Sequence, residues 1–176
     1  MKVVEKQRNY SMCFVCGMDN KDGIQAQFYS MEDKSVISLF SFKEKHQSFP
    51  GRVHGGVISS LLDELGLRAI WAYGKSDFGV TMDLSIKYRK PVPYDVPLIA
   101  VGKVTYCSTM FLKADAFLYD KEGRLLSEGV GTYRLLPLSK IAKGESEELV
   151  HQELKYYVED DIKDIDVATT GSCLEV

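Results

Sequence analysis

Three features of the chain predict an α+β fold in which an antiparallel sheet of six strands covers one long helix. Six segments alternate apolar and polar residues, a single long segment has helical periodicity, and the order is two strands, helix, four strands. After the turn-rich CGMDNKDG (16–23), IQAQFYS and SVISLFSF read as strands separated by the MEDK turn. KEKHQSFPGRVH (43–54) reads as a loop broken at Pro50-Gly51. The helix is expected over 55–74, with Gly74 ending it. In TMDLSIKYRK (81–90), Met82, Leu84, Ile86 and Tyr88 are expected on a buried face, against Thr81, Asp83, Ser85, Lys87 and Arg89 on a polar one. Beyond the proline-rich PVPYDVP, LIAVGKVTYC, MFLKADAFLYD and LLSEGVGTYRLL supply the remaining strands, the last two joined through KEGR as a hairpin.

Residues 1–137 are expected to form the folded domain, and 138–176 an acidic, partly helical C-terminal extension. Within the extension, SEELVHQELKYYV (146–158) suits an amphipathic helix with Ser146 as N-cap and Glu148 in its first turn; the acidic remainder is expected to be mobile. A chain of 176 residues is about one domain's worth, and its 45% hydrophobic and 27% charged residues are ordinary for a globular protein.

The extension holds ten Asp/Glu against four Lys/Arg, so the net charge of −3 divides into −6 there and +3 in residues 1–137. That balance is far from a nucleic-acid footprint but suits an anionic small molecule. No apolar run approaches the roughly 20 residues that span a bilayer, and the N-terminus lacks the apolar core of a signal peptide, so a cytoplasmic location with no membrane partner is the expectation. Cys13 and Cys16 form a C-x-x-C, but Cys107 and Cys173 stand alone. A zinc site would have to draw further ligands from elsewhere, such as His46 or His54. The expectation is two reduced thiols in a turn before Gly17, and no metal.

HGGVISSLLDE (54–64) carries the chemistry. Around the helix axis, Val57, Ile58, Leu61, Leu62, Leu65, Ala69 and Ala72 fall on one stripe that turns to the sheet. Asp63 lies roughly opposite, in a strip with the small residues Gly56, Ser59 and Gly66, while Glu64 stands one turn before Arg68 as a solvated ion pair. Glycine in a first turn costs helix propensity. Gly55 and Gly56 leave the N-terminal amide donors unobstructed, and no acid of the first turn occupies them, so either an outside carbonyl or anion is their acceptor or the turn is simply close-packed. Gly55 and Asp63 are eight residues apart, about 12 Å along the axis. If the two act on one atom, Asp63 must come from a second copy of the chain across a two-fold axis.

These motifs, together with CFVCGMDNKDG, HQSFPGRVHGGVISSLLDE and TMDLSIKYRKPVP, resemble the hotdog-fold acyl-CoA thioesterases, in particular the phenylacetate-pathway (PaaI-like) branch, over about residues 10–137. The resemblance implies hydrolysis of acyl-CoA with no separate cofactor, coenzyme A being part of the substrate. It implies a homodimer and leaves open a dimer of dimers. Gly55 matches the residue whose N–H polarises the thioester carbonyl, Asp63 the nucleophile or general base from the opposite subunit, and Thr81 a hydroxyl holding the attacking water. His54 matches the histidine beside the glycines, which either orients substrate or caps the helix. Gly56 adjoins the substrate. Ser48 stands where many members have Asn, so this chain has no side-chain amide at that position to place a water. Lys87, Arg89 and Lys90 are candidate partners for coenzyme A phosphates. Two alternatives remain: an acyl-thioester dehydratase, for which FPGR speaks and Ser48, in the place of a histidine, speaks against, and a non-catalytic acyl-CoA-binding module suggested by the extension.

Overall fold

The computed structural model describes residues 1–75, 78–141, 148, 150, 154–155 and 162–165. The chain begins with β1 (Val3–Lys6) and the two-residue β2 (Asn9–Tyr10), followed by β3 (Gln27–Met31) and β4 (Val36–Phe40). A 3-10 turn (Glu44–His46) leads into β5 (Gln47–Phe49) and β6 (Arg52–Val53), then α1 (Gly55–Ala72). Four long strands follow: β7 (Phe78–Tyr88), β8 (Leu98–Cys107), β9 (Phe111–Asp120) and β10 (Leu125–Leu136). The short α2 (Leu138–Ile141) and β11 (Leu154–Lys155) complete the described elements.

One antiparallel sheet runs in the order β1-β3-β4-β8-β9-β10-β7 and packs around α1, which makes this the expected α+β hotdog architecture with seven strands instead of six. The additional strand is β1, which pairs with β3 through a bulge between Val3 and Glu5. Its four residues, VVEK, are too short and too charged for periodicity to reveal, and an existing edge recruits them instead.

The helix buries Ile58, Leu61, Leu62, Leu65 and Ala69 as its stripe requires, with Val57 and Ala72 half-buried at the margins. Each fully buried leucine there stabilises the fold by about 1.5–3 kcal/mol. At the C-terminal end, Gly74 takes φ +95 and its N–H reaches the Trp71 carbonyl at 3.0 Å, a left-handed stop that a Cβ would strain. At Gly66 the small-residue strip lets the sheet come close: a Cβ there would lie 2.1 Å from the Tyr133 hydroxyl on β10.

Three expectations are corrected. The loop at 43–54 holds a small hairpin, β5 against β6, turned at Pro50-Gly51 with Gly51 at φ +81. The helix expected at 146–158 lies mostly outside the described residues. Glu148 and Val150 are helical, but Leu154–Lys155 is extended and pairs with β2, because an unpaired strand edge offers the backbone partners there. The acidic remainder, expected to be mobile, is anchored at 162–165. Lys163 and Ile165 exchange backbone hydrogen bonds with Val3 and Met1, and Ile165 is buried among Tyr29, Met31, Ile37, Val101 and Tyr119 on the outer face of the sheet. Among the described residues, no helix is long and apolar enough to cross a membrane.

Candidate active site

The helix start is built by its N-cap. His54 holds an extended conformation (φ −65, ψ 133), and its Nδ1 accepts the Gly56 N–H at 2.9 Å. Nδ1 therefore carries no proton, and the ring caps the helix, one of the two roles its position left open. Its carbonyl accepts the Val57 and Ile58 N–H groups at 3.0 and 3.2 Å. Of the first four amides this leaves the Gly55 N–H, which has no acceptor among the described residues. The donor sits at the positive end of an 18-residue helix with no acid in its first turn.

The other side of Gly55 is fixed by two hydroxyls. Ser59 and Tyr88 donate to its carbonyl at 3.0 and 3.1 Å and lie 2.6 Å from each other. Tyr88 is a site residue that sequence reasoning missed. Alternation assigned it to a buried face, whereas its half-exposed ring lies over the helix start, 3.5 Å from where a Gly55 Cβ would be.

Two turns along α1, the half-buried Asp63 carboxylate accepts the Thr81 hydroxyl, at 2.8 Å on Oδ1 and 3.1 Å on Oδ2. A β-bulge makes this contact possible. β10 pairs Thr132 with Asp83 and Tyr133 with Thr81, so Met82 is the extra residue. The bulge shifts the phase of β7: Ile86 packs on the core, Thr81 meets the helix, and Met82, expected to be buried, is 58% exposed. Burial pushes the Asp63 carboxyl above its ordinary value, the Thr81 hydrogen bond pulls it partly back, and the neighbouring Glu64 adds to the rise. Gly55 and Asp63 stand at different heights of one helix, about 12 Å apart, so a single chain does not bring them together.

Ser48, Arg52, Gly55, Tyr88, Arg89 and Lys90 help to line a cavity of about 370 Å³ at the helix start. A second cavity, of about 510 Å³, shares Arg52 and Lys90 with it and extends to Lys121 and Arg124. Lys87 and Arg89, also expected near phosphates, both face Glu128, at 3.5 and 2.7 Å. Of the three predicted basic residues, Arg89 and Lys90 both stand on the cavity wall, Arg89 while paired with Glu128, and Arg52 is the cation that strand alternation did not point to.

The other carboxylate of the motif behaves differently from expectation. Arg68 donates from Nε to Glu64 Oε1 at 2.8 Å, but the guanidinium is only 2% exposed and lies between Phe28 and Trp71, so the pair is buried rather than solvated. Glu64 faces the C-x-x-C: its carboxylate and the Cys13 and Cys16 sulfurs lie within 4.8 Å of one another. The two histidines considered as zinc ligands turn elsewhere. His46 accepts the Lys43 N–H on Nδ1 and its Nε2 lies 3.3 Å from the Asp22 carbonyl, while His54 caps α1. The Cys13 thiol is lowered to about 7, chiefly by its hydrogen bond with Cys16, and the Cys16 thiol is raised by the same bond and by burial.

Comparison with known proteins places this geometry. Residues 50–127, from the turn before the helix through most of the long strands, match the family model described as Thioesterase superfamily. The protein named "Putative esterase SSO1253" of Saccharolobus solfataricus is 31% identical over 110 residues, 62% of this chain and 73% of its own length. Acyl-coenzyme A thioesterase THEM4 of Rattus norvegicus is 30% identical over 90 residues, 51% of this chain, and the match spans only 38% of that longer protein. Among solved structures, the thioesterase superfamily protein RHA08564 superimposes with a TM-score of 0.64 at 27% identity, covering 69% of this chain and 62% of that one. A phenylacetic acid degradation-related protein from Ralstonia eutropha shares the fold at 15% identity, with a TM-score of 0.57 over 63% of this chain and 85% of that one. With its single wrapped helix, glycine-opened N-terminus and these relatives, the chain belongs to the thioesterase superfamily and is an enzyme that hydrolyses thioesters.

Proposed function

We propose that the protein hydrolyses acyl-coenzyme A thioesters at two equivalent sites, each shared between the two subunits of a homodimer. The observation that carries this reading is the Gly55 N–H, the one first-turn donor with no acceptor among the described residues. A thioester carbonyl accepts that hydrogen bond, and the bond strengthens as negative charge develops on the oxygen in the tetrahedral intermediate. The partner subunit's Asp63 removes a proton from the attacking water, or attacks the carbonyl itself to form an anhydride that water then hydrolyses; either route expels the coenzyme A thiolate and releases the free acid. Thr81 holds the carboxylate by its hydroxyl, and the desolvation that raises Asp63 makes it a stronger base. Arg52 and Lys90 offer charge to the phosphates of coenzyme A at the mouth of the same cavity.

The edge strand β7 supports the dimer. Among the described residues it pairs in the main sheet with β10 alone and so forms one edge of that sheet, with Val80 and Met82 exposed beside it. Such an edge in a stable protein calls for cover. A two-fold axis against β7 lays the α1 helices antiparallel, which sets the first turn of one beside the middle of the other. Incubation with a panel of acyl-CoAs and a thiol-detecting reagent tests it: thiol appears in step with free acid for at least one acyl class. Silence across short, long and aromatic acyl groups would reject acyl-CoA as the substrate.

A further inference from the structure

Cys13 and Cys16 take no part in the chemistry above, yet the turn that carries them is built to a tight specification. The Val15 and Cys16 N–H groups both point at Cys13 Sγ, each at 3.4 Å, and the Gly17 N–H closes the turn on the Cys13 carbonyl at 2.8 Å. A Cβ at Gly17 would lie 2.3 Å from the Cys13 oxygen and 2.7 Å from that of Ser11, so only glycine lets the chain fold back this closely. Amide donors directed at sulfur favour the thiolate, the form that binds metal. The turn also packs against the middle of α1, which brings Glu64 to both sulfurs.

We propose that Cys13, Cys16 and Glu64 form a three-ligand site for one thiophilic divalent cation of the zinc class. The three donor atoms lie within 4.8 Å of one another. Ligands around a tetrahedral zinc ion, at about 2.3 Å for sulfur and about 2.0–2.2 Å for oxygen, stand about 3.5–3.8 Å apart, so small side-chain rotations close the set. Glu64 is already oriented. Arg68 donates to its Oε1, leaving the second oxygen of the carboxylate to face the metal, and Arg68 is itself held by the Arg8 carbonyl at 2.6 Å. The fourth position opens on the apolar cavity of about 430 Å³ that Cys13, Glu64, Leu67 and Trp71 help to line, where a water or a small donor fits.

Charge balances as well. With both thiols protonated and no metal, the two cysteines, Glu64 and Arg68 sum to zero. Binding a divalent cation releases two thiol protons, and the buried group again sums to zero. Two sulfurs and a carboxylate in this arrangement select a zinc-class ion over magnesium or calcium, which take oxygen donors alone. A disulfide between the same cysteines would need an oxidant.

Cobalt(II) serves as the spectroscopic probe. Added to reduced, chelator-treated protein, it produces thiolate-to-metal charge-transfer absorption that saturates at one ion per chain and disappears when Zn²⁺ is added. Cys13→Ser and Cys16→Ser each abolish the band, and Glu64→Gln weakens binding at least tenfold. Circular dichroism of the metal-free variants, unchanged from wild type, separates a lost site from a lost fold. X-ray absorption on zinc-loaded wild-type protein needs no variant: it shows two sulfurs at about 2.3 Å and a lighter shell at about 2.0 Å. No charge-transfer band at saturating cobalt, a zinc shell without sulfur, or Glu64→Gln binding as tightly as wild type would each overturn the site. None of these readouts uses thioester hydrolysis, so the two proposals stand or fall separately.

Discussion

Replacing Gly55 by proline removes one hydrogen-bond donor and little else. Position 55 is the first residue of α1, where proline's fixed φ suits the helix and its missing N–H breaks no intrahelical bond. The nearest atoms to a Cβ there are those of the Tyr88 ring at 3.5 Å, ordinary van der Waals contact. The remaining first-turn amides keep their partners, Gly56 on His54 Nδ1 and Val57 and Ile58 on the His54 carbonyl. The substitution therefore isolates the proposed oxyanion donor. Deleting one such donor costs about 2.7–4 kcal/mol of transition-state stabilisation, a fall of about 10²–10³ in kcat. KM for the acyl-CoA stays within a few-fold, because the bond strengthens in the transition state rather than in the bound substrate. Steady-state thiol release gives both constants, and thermal melting checks that the fold survives. A Gly55→Pro enzyme whose kcat lies within threefold of wild type, with an unchanged melt, would refute the role of the helix terminus.

Asp63→Asn keeps the shape and a partner for Thr81 but cannot take a proton, so kcat falls by about 10²–10⁴ while the variant remains folded; undiminished turnover would remove Asp63 from the mechanism. The same variant has a signature in stability. The folded-state pKa of Asp63 is raised by burial, so its favourable contribution is fully present below the unfolded value and is lost as pH rises from there through the folded one. Asp63→Asn should therefore raise the melting temperature near neutrality, and the gain should shrink in acid; a melting temperature lower than wild type at neutral pH would contradict this. Gly66→Ala places a methyl 2.1 Å from the Tyr133 hydroxyl and should destabilise by about 1–3 kcal/mol in denaturant titration, with no loss expected only if β10 can retreat. Val80→Lys with Met82→Lys charges the edge of β7 and should turn the proposed dimer into an inactive monomer by sedimentation; full activity in a monomer would sink the shared site.

The long elements were legible because their periods are unambiguous. The last two strands of the sheet and the stripe on α1 follow from alternation and from a 3.6-residue repeat, each sustained over ten residues or more. Gly55 and Asp63 were legible as candidates because glycines opening a helix and an acid among small residues on its far side stand out from the local preferences around them, whereas Thr81 became a candidate only through the family resemblance. What escaped notice depends on contacts distant in sequence. β1 and β11 are short segments that form only because an edge is present to receive them. The bulge at Met82 inverts a phase that the sequence presents as continuous, which is why Met82 faces solvent and Thr81 reaches Asp63. The meeting of Glu64 with Cys13 and Cys16 joins segments about fifty residues apart, and no spacing rule within either one announces it.

Mixing two inactive variants tests the shared site most directly. In a heterodimer of Asp63→Asn and Gly55→Pro chains, one site collects both altered groups and the other has an intact Gly55 N–H facing an intact Asp63. After denaturation and co-refolding of equal amounts, about half the dimers are mixed and each carries one working site, so activity should return to about one quarter of wild type. Activity no greater than the sum of the two variants alone, in a preparation shown by mass to contain the mixed dimer, would mean that Gly55 and Asp63 do not act across the interface.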